Sequence, residues 1–126
     1  MATRSRIGIQ LADESILSVY HHWDGYPSWL GKKLTEKYTQ PSKIHGLMRR
    51  GDLSCIECDH DWNHNKVKEP IILSYKMRGE DCPAVEHDSV GDFIKFTYDG
   101  WCDYCYLFDN GEWKCYTEQG SVEIIP

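Results

Sequence analysis

The sequence has no apolar run near the roughly 18 residues that a membrane-spanning helix requires, and its mean hydropathy is −0.59. No membrane role is expected. The opening Met1-Ala-Thr-Arg-Ser-Arg6 carries charge but no hydrophobic stretch of signal-peptide length, which points to a cytoplasmic protein. Excess basic charge is also lacking: 14 Lys and Arg against 20 Asp and Glu leave a net charge of −6. Non-specific nucleic-acid binding is therefore not expected, because that affinity comes from neutralising phosphates. The chain contains no internal repeat, no low-complexity tract and no linker-like stretch. A single domain over residues 1–126 follows.

Cysteine is what the chain has in quantity, with six in 126 residues. A reducing cytosol disfavours a disulfide framework, leaving buried thiols, a metal site or a reactive cysteine. Aromatic residues make up 13%, including five Trp and eight Tyr. That is enough for some to reach the surface, where Trp, Tyr and Arg form binding hot spots.

The periodicities alternate between strand and helix. Arg6–Gln10 and Ile16–Trp23 read as strands joined across Ala12–Ser15. Tyr26, Leu30, Leu34 and Tyr38 recur every four residues and mark a helical face beginning at Pro27. Trp29 lies off that stripe and is expected to be exposed. Pro41 opens a second helix with Ile44, Leu47 and Met48 on one face, and Gly51 suits a left-handed cap. Asp52–Lys68 reads as polar and irregular, followed by a strand at Pro70–Tyr75 and a loop at Arg78–Pro83. Ser89-Val-Gly-Asp92 has the form of a capping box for a third helix, with Val90, Phe93, Ile94 and Thr97 inward.

The C-terminal part reads as a hairpin, Tyr104–Asp109 and Glu112–Tyr116, about a type I′ Asn110-Gly111 turn. That register pairs Phe108 with Trp113 and Tyr106 with Cys115, and it sets Cys105 and Cys115 on opposite faces. Val122–Ile125 suits a last edge strand. The expected fold is α+β, a small mixed or antiparallel sheet with about three short helices. Leu30, Leu34, Ile44, Leu47, Phe93 and Ile94 are expected to cover the sheet.

Thr3-Arg-Ser-Arg-Ile-Gly-Ile9, then His21-His-Trp-Asp-Gly-Tyr-Pro27, then Leu30-Gly31 within the following helix, form a recognisable series. It resembles a small-protein family found mainly in bacteriophages, cyanophages included, with the pattern TRS-x-IGI, HWDGYP and LG. The resemblance implies a phage origin, an infected bacterial cell as location and no particular reaction.

Three constellations carry candidate chemistry. On a strand, His22 and Asp24 would point the same way, so the carboxylate could orient the imidazole as a general base; this is the enzyme reading, a small hydrolase. Cys55-x2-Cys58 and Cys102-x2-Cys105 have the form of a zinc site, with His60 and His64 beside the first pair. Free thiols and no cofactor are the favoured expectation, and a zinc-stapled module is the alternative. The third constellation is a binding edge: His21, His22, Trp23, Asp24 and Tyr26 at the strand end, Trp29 on the helix, and Arg78 with Glu80 on a nearby loop. Its expected partner is a host protein, or a small nucleotide-like ligand stacked on aromatics with Arg on the phosphate. The leading expectation is a non-enzymatic phage accessory protein that binds a host enzyme or an antiviral component.

Overall fold

A computed structural model describes residues 2–126. Strand β1 (Ser5–Gln10) and strand β2 (Ile16–His21) form an antiparallel hairpin. The Asp13 carboxylate closes its turn by accepting the Ser15 N–H at 3.0 Å. A π-type turn at Pro27–Gly31 leads into α1 (Lys32–Lys37), and α2 (Pro41–Arg50) follows. Next come β3 (Leu53–His60), β4 (Lys66–Ser74), a 3₁₀ turn at Tyr75–Arg78 and the short β5 (Val85–His87). The chain ends with α3 (Val90–Asp99), β6 (Tyr104–Asp109), β7 (Glu112–Tyr116) and β8 (Val122–Glu123).

All eight strands belong to one mixed sheet in the order β4-β3-β2-β1-β6-β7-β8, with β5 also on β2. The β1–β6 and β2–β3 pairings are parallel, and the rest are antiparallel. The far edge of β2 is shared. Its first half pairs with β5, while its last residue, His21, pairs with Leu53 of β3. The sheet therefore forks at the end of β2, and the β3–β4 arm leaves from there.

Both faces of the sheet are covered, and the six helical residues expected to cover it divide between two clusters. Ile7, Ile9, Val19, Tyr106 and Phe108 pack with Leu30, Leu34, Ile44 and Leu47 from the first two helices. On the opposite face, Phe93 and Ile94 of α3 pack with Ile16, Cys105 and Leu107. The reason lies in β6, where neighbouring residues from Cys105 to Phe108 are apolar and buried. Successive side chains on a strand point to opposite faces, so such a run must be covered twice. Gly8 lets α3 approach closely: a Cβ there would lie 2.9 Å from the Phe93 ring.

The C-terminal hairpin has the expected register, including Phe108 opposite Trp113 and Tyr106 opposite Cys115. Ser89 caps α3, its hydroxyl accepting the Asp92 N–H at 3.1 Å. Gly51 has a φ of 73° but a ψ of −156°, so the expected left-handed cap is replaced by another positive-φ conformation. There a side chain would run into the Cys82 carbonyl. The largest correction concerns Asp52–Lys68, which contains β3 and the start of β4 where an irregular loop was expected. Register shifts interrupt β3 at three places, and each one breaks the two-residue alternation by which a strand is read.

Candidate functional site

His21 ends β2 fully buried. Its Nε2 accepts the Ile56 N–H at 3.1 Å, and Nδ1 is buried without a partner, as is the hydroxyl of its cross-strand neighbour Ser5. Burial, reinforced by His22, pushes its pKa down to about 3. The ring is therefore neutral at pH 7 and ties β3 to β2. It supports the site from below, with its centroid 6.3 Å from that of Trp29.

His22 shares a 2.6 Å hydrogen bond between Nδ1 and the Tyr20 hydroxyl. Asp24 has turned away from strand geometry, with a φ of 53°. The His22–Asp24 pair expected from an extended strand is not formed, because β2 ends at His21 and the chain turns before Asp24. The turn itself is firmly held. The Gly25 N–H donates to the Thr3 carbonyl at 2.9 Å, and the Tyr106 hydroxyl donates to the Gly25 carbonyl at 2.6 Å. A Cβ at Gly25 would come within 2.7 Å of Thr3 and Ser5 atoms, so the residue must be small.

The exposure expected of Trp29 is not found. Trp29, expected to be exposed, is half-buried and packs against two core clusters. Trp23 and Tyr26 are the exposed ones, at 46% and 37%. The four-residue stripe holds at Leu30, Leu34 and Tyr38, which are all buried, and fails at Tyr26, which precedes the π-type turn.

Between this strand end and the β3–β4 arm lies a cleft of about 580 Å³. Trp23, Trp29 and Trp62 line it, together with the carboxylates of Asp24, Glu57, Asp59 and Asp61. Lys37 pairs with Glu57 at 3.0 Å, and the Asp59 carboxylate lies 3.0 Å from His60 Nδ1. Cys55, Cys58, His60 and His64 complete the lining that matters chemically. The sequence signal for this arm was Cys55-x2-Cys58-Asp-His-Asp-Trp-Asn-His64, legible as a polar cluster but not as one wall of a cleft.

Arg78 and Glu80 do not line the cleft. The Arg78 guanidinium lies 4.1 Å from the Trp62 ring centroid and 5.2 Å from that of Tyr75, and its Nε donates to Glu80 at 2.8 Å. Arg78 thus braces a cleft wall with its donor engaged by its own loop. The four cysteines proposed as one zinc set are also divided. Cys55 and Cys58 sit in one apolar cluster with Leu73, while Cys105 packs with Phe93 under α3. Among the described residues the only group of three or more such donors in mutual reach is Cys58, Asp59 and His60. Burial pushes Cys102 up to about 11 and Cys105 up to about 12, which keeps both as unreactive thiols.

No protein-family model matches the chain, and no curated protein or solved structure matches it.

Proposed function

We propose that the protein acts by binding, and that its partner is a host protein offering a cationic segment to the tryptophan-lined cleft. The observation that carries this reading is the cleft's composition: three tryptophans and four acidic residues line it. Indole faces attract Lys and Arg side chains through the ring quadrupole, as Arg78 on Trp62 and Lys33 on Trp29 already show within this chain, and the exposed Trp23 is the ring offered to a partner. Glu57 is already paired with Lys37, and Asp24, Asp59 and Asp61 add complementary charge, which steers encounter and selects partners. The same carboxylates repel a phosphate, so the protein partner is favoured over the nucleotide-like ligand. Binding is also favoured over turnover, because the His22 imidazole is bonded to Tyr20 and lacks an orienting carboxylate. In the setting suggested by the TRS-x-IGI and HWDGYP series, the partner is an enzyme or antiviral component of a phage-infected bacterium.

The test is a fluorescence titration of the full chain with an Arg- and Lys-containing peptide and, separately, with mono- and dinucleotides. The reading expects saturable quenching by the peptide that weakens at high salt, none by nucleotides, and loss of the response in Trp23→Ala. Nucleotide binding without peptide binding would reverse the choice of ligand. No response to either would remove the cleft as the site.

A further inference from the structure

The geometry points to a second binding activity in the same cleft: a Zn²⁺ site of Cys2His2 type formed by Cys55, Cys58, His60 and His64. It differs from the four-cysteine set considered from sequence, and it stands independently of the cationic partner.

The backbone supplies the first argument. Residues three apart on a regular strand point to opposite faces. Cys55 pairs with Leu73 and Cys58 with Ile71, so three steps on β3 oppose two on β4. The extra residue is a bulge, and its effect is to bring both thiols to one side. Both line the cleft and both pack on Leu73. Bulges commonly re-aim side chains beside functional sites.

The second argument is the separation of the donors. A tetrahedral zinc, with Zn–S about 2.3 Å and Zn–N about 2.0 Å, holds sulfur and nitrogen ligands about 3.5 Å apart. Cys58 Sγ lies 3.5 Å from His60 Nδ1 and 3.7 Å from Nε2. A thiol–imidazole hydrogen bond has a similar length, so the metal-free protein already holds this edge of the tetrahedron. The neighbouring Asp59 carboxylate lies 3.0 Å from Nδ1. By accepting the Nδ1–H hydrogen bond, the Asp59 carboxylate leaves the Nε2 lone pair available, as the usual outer partner of a metal-bound histidine does.

The third argument concerns the fourth ligand. The His64 ring stacks on that of His60 with centroids 6.1 Å apart and planes at 17°. The loop that presents it is organised in advance: the Asp61 carboxylate accepts the N–H groups of Asn63 at 2.9 Å and Asn65 at 3.0 Å. His64 itself takes a positive φ of 63°. Two thiolates and two imidazoles form a donor set suited to zinc. Cys58 and His60 already lie in mutual reach, and completing the site requires the Cys55 and His64 side chains to move toward that edge.

The test is titration of the reduced full-length chain with Co²⁺, followed by displacement with Zn²⁺. One equivalent of Co²⁺ should bind with the intense visible bands of tetrahedral thiolate coordination, and Zn²⁺ should abolish them. Cys58→Ser and His60→Gln should each lose most of the signal, whereas Cys102→Ser should retain it. Asp59→Asn should weaken binding by roughly 10–100-fold, the range for outer-shell partners. The His60 side chain is 46% exposed, so His60→Gln tests the site without threatening the fold. Trp23→Ala should bind Co²⁺ normally, which separates this site from the peptide reading. Absence of stoichiometric uptake, a weak octahedral spectrum, or unchanged binding in His60→Gln overturns the proposal.

Discussion

The imidazole of His21 accepts the Ile56 N–H at 3.1 Å, and this side chain bonds β2 to β3 at the fork in the sheet. The arm that carries Cys55, Cys58 and Trp62 is aligned in part by a histidine that must stay neutral.

Acid should therefore weaken the fold. Burial holds His21 at about 3, and burial with the nearby Arg6 holds His87 at about 4, against an ordinary 6.5. Between those values the unfolded chain takes up protons that the folded chain refuses. The stability contribution is complete above pH 6.5 and falls as pH drops toward 4 and 3. At about 1.4 kcal/mol per unit, each histidine should cost about 2 kcal/mol between pH 7 and pH 5. Urea unfolding at the two values measures the loss. His21→Gln keeps an acceptor for Ile56 and removes one titration, so its pH dependence should be about half as steep. Equal stability of the parent protein at both values would refute the assignment.

Trp23 and Trp29 should separate binding from folding. Trp29 packs against two clusters and His21, so Trp29→Ala should cost about 2 kcal/mol or more. Trp23 is exposed at 46%, and Trp23→Ala should remain within about 0.5 kcal/mol of the parent. Thermal melts of the two variants decide this. A larger loss from Trp23→Ala than from Trp29→Ala would place the anchor on the wrong indole.

The half-burial of Trp29 shows what the sequence could and could not reveal. The C-terminal hairpin was legible to the residue because Asn110 and Gly111 take φ angles of 51° and 77°, which few other pairs tolerate. Ser89 was legible as a cap because the cap bond is local. Trp29 was misplaced because, although off the buried stripe, it packs against two core clusters. Asp52–Lys68 does not read as strand because bulges in β3 destroy alternation and the start of β4 exposes Lys66 and Lys68, whereas the second half of β4 is legible at Pro70–Tyr75. The cleft could not be read at all, since the two segments that face each other across it meet only when Leu53 pairs with His21. Motif residues were visible one by one; their convergence depends on a parallel contact distant in sequence.

Two glycines should respond oppositely to alanine. In Gly8→Ala the new Cβ meets Phe93 ring atoms at 2.9 and 3.0 Å and an Ile16 methyl at 3.1 Å. Phe93 is fully buried and has little room to yield, so overpacking should cost about 1–3 kcal/mol. Gly46 lies inside α2, where the nearest atom to an added Cβ is the tip of Arg49 at 3.8 Å. Gly46→Ala should stabilise by about 0.4–1 kcal/mol, because it restricts the unfolded chain at no steric cost. Chemical denaturation of both variants provides the comparison, and the predicted result is a difference in sign.

The cysteines should differ sharply toward a soluble thiol reagent. Reaction needs an accessible sulfur and some thiolate. Cys82 is half-exposed, whereas Cys102, Cys105 and Cys115 are buried. Burial raises all four from their ordinary value, and takes Cys102 to about 11 and Cys105 and Cys115 to about 12. Neighbouring carboxylates act in the same direction, Glu123 beside Cys115 and Asp52 with Glu80 beside Cys82. Access therefore decides the order. In the native protein Cys82 should be modified first, and the three sheet cysteines only at the rate of opening or unfolding. Peptide mapping after timed alkylation reads each site separately. Modification of Cys105 or Cys115 as fast as Cys82 would mean that the face beneath α3, or the β6–β7 hairpin, is open to solvent. Adding Zn²⁺ before alkylation should leave the rates at Cys82 and Cys102 unchanged, because neither thiol lies in the cleft between Trp23 and the β3–β4 arm.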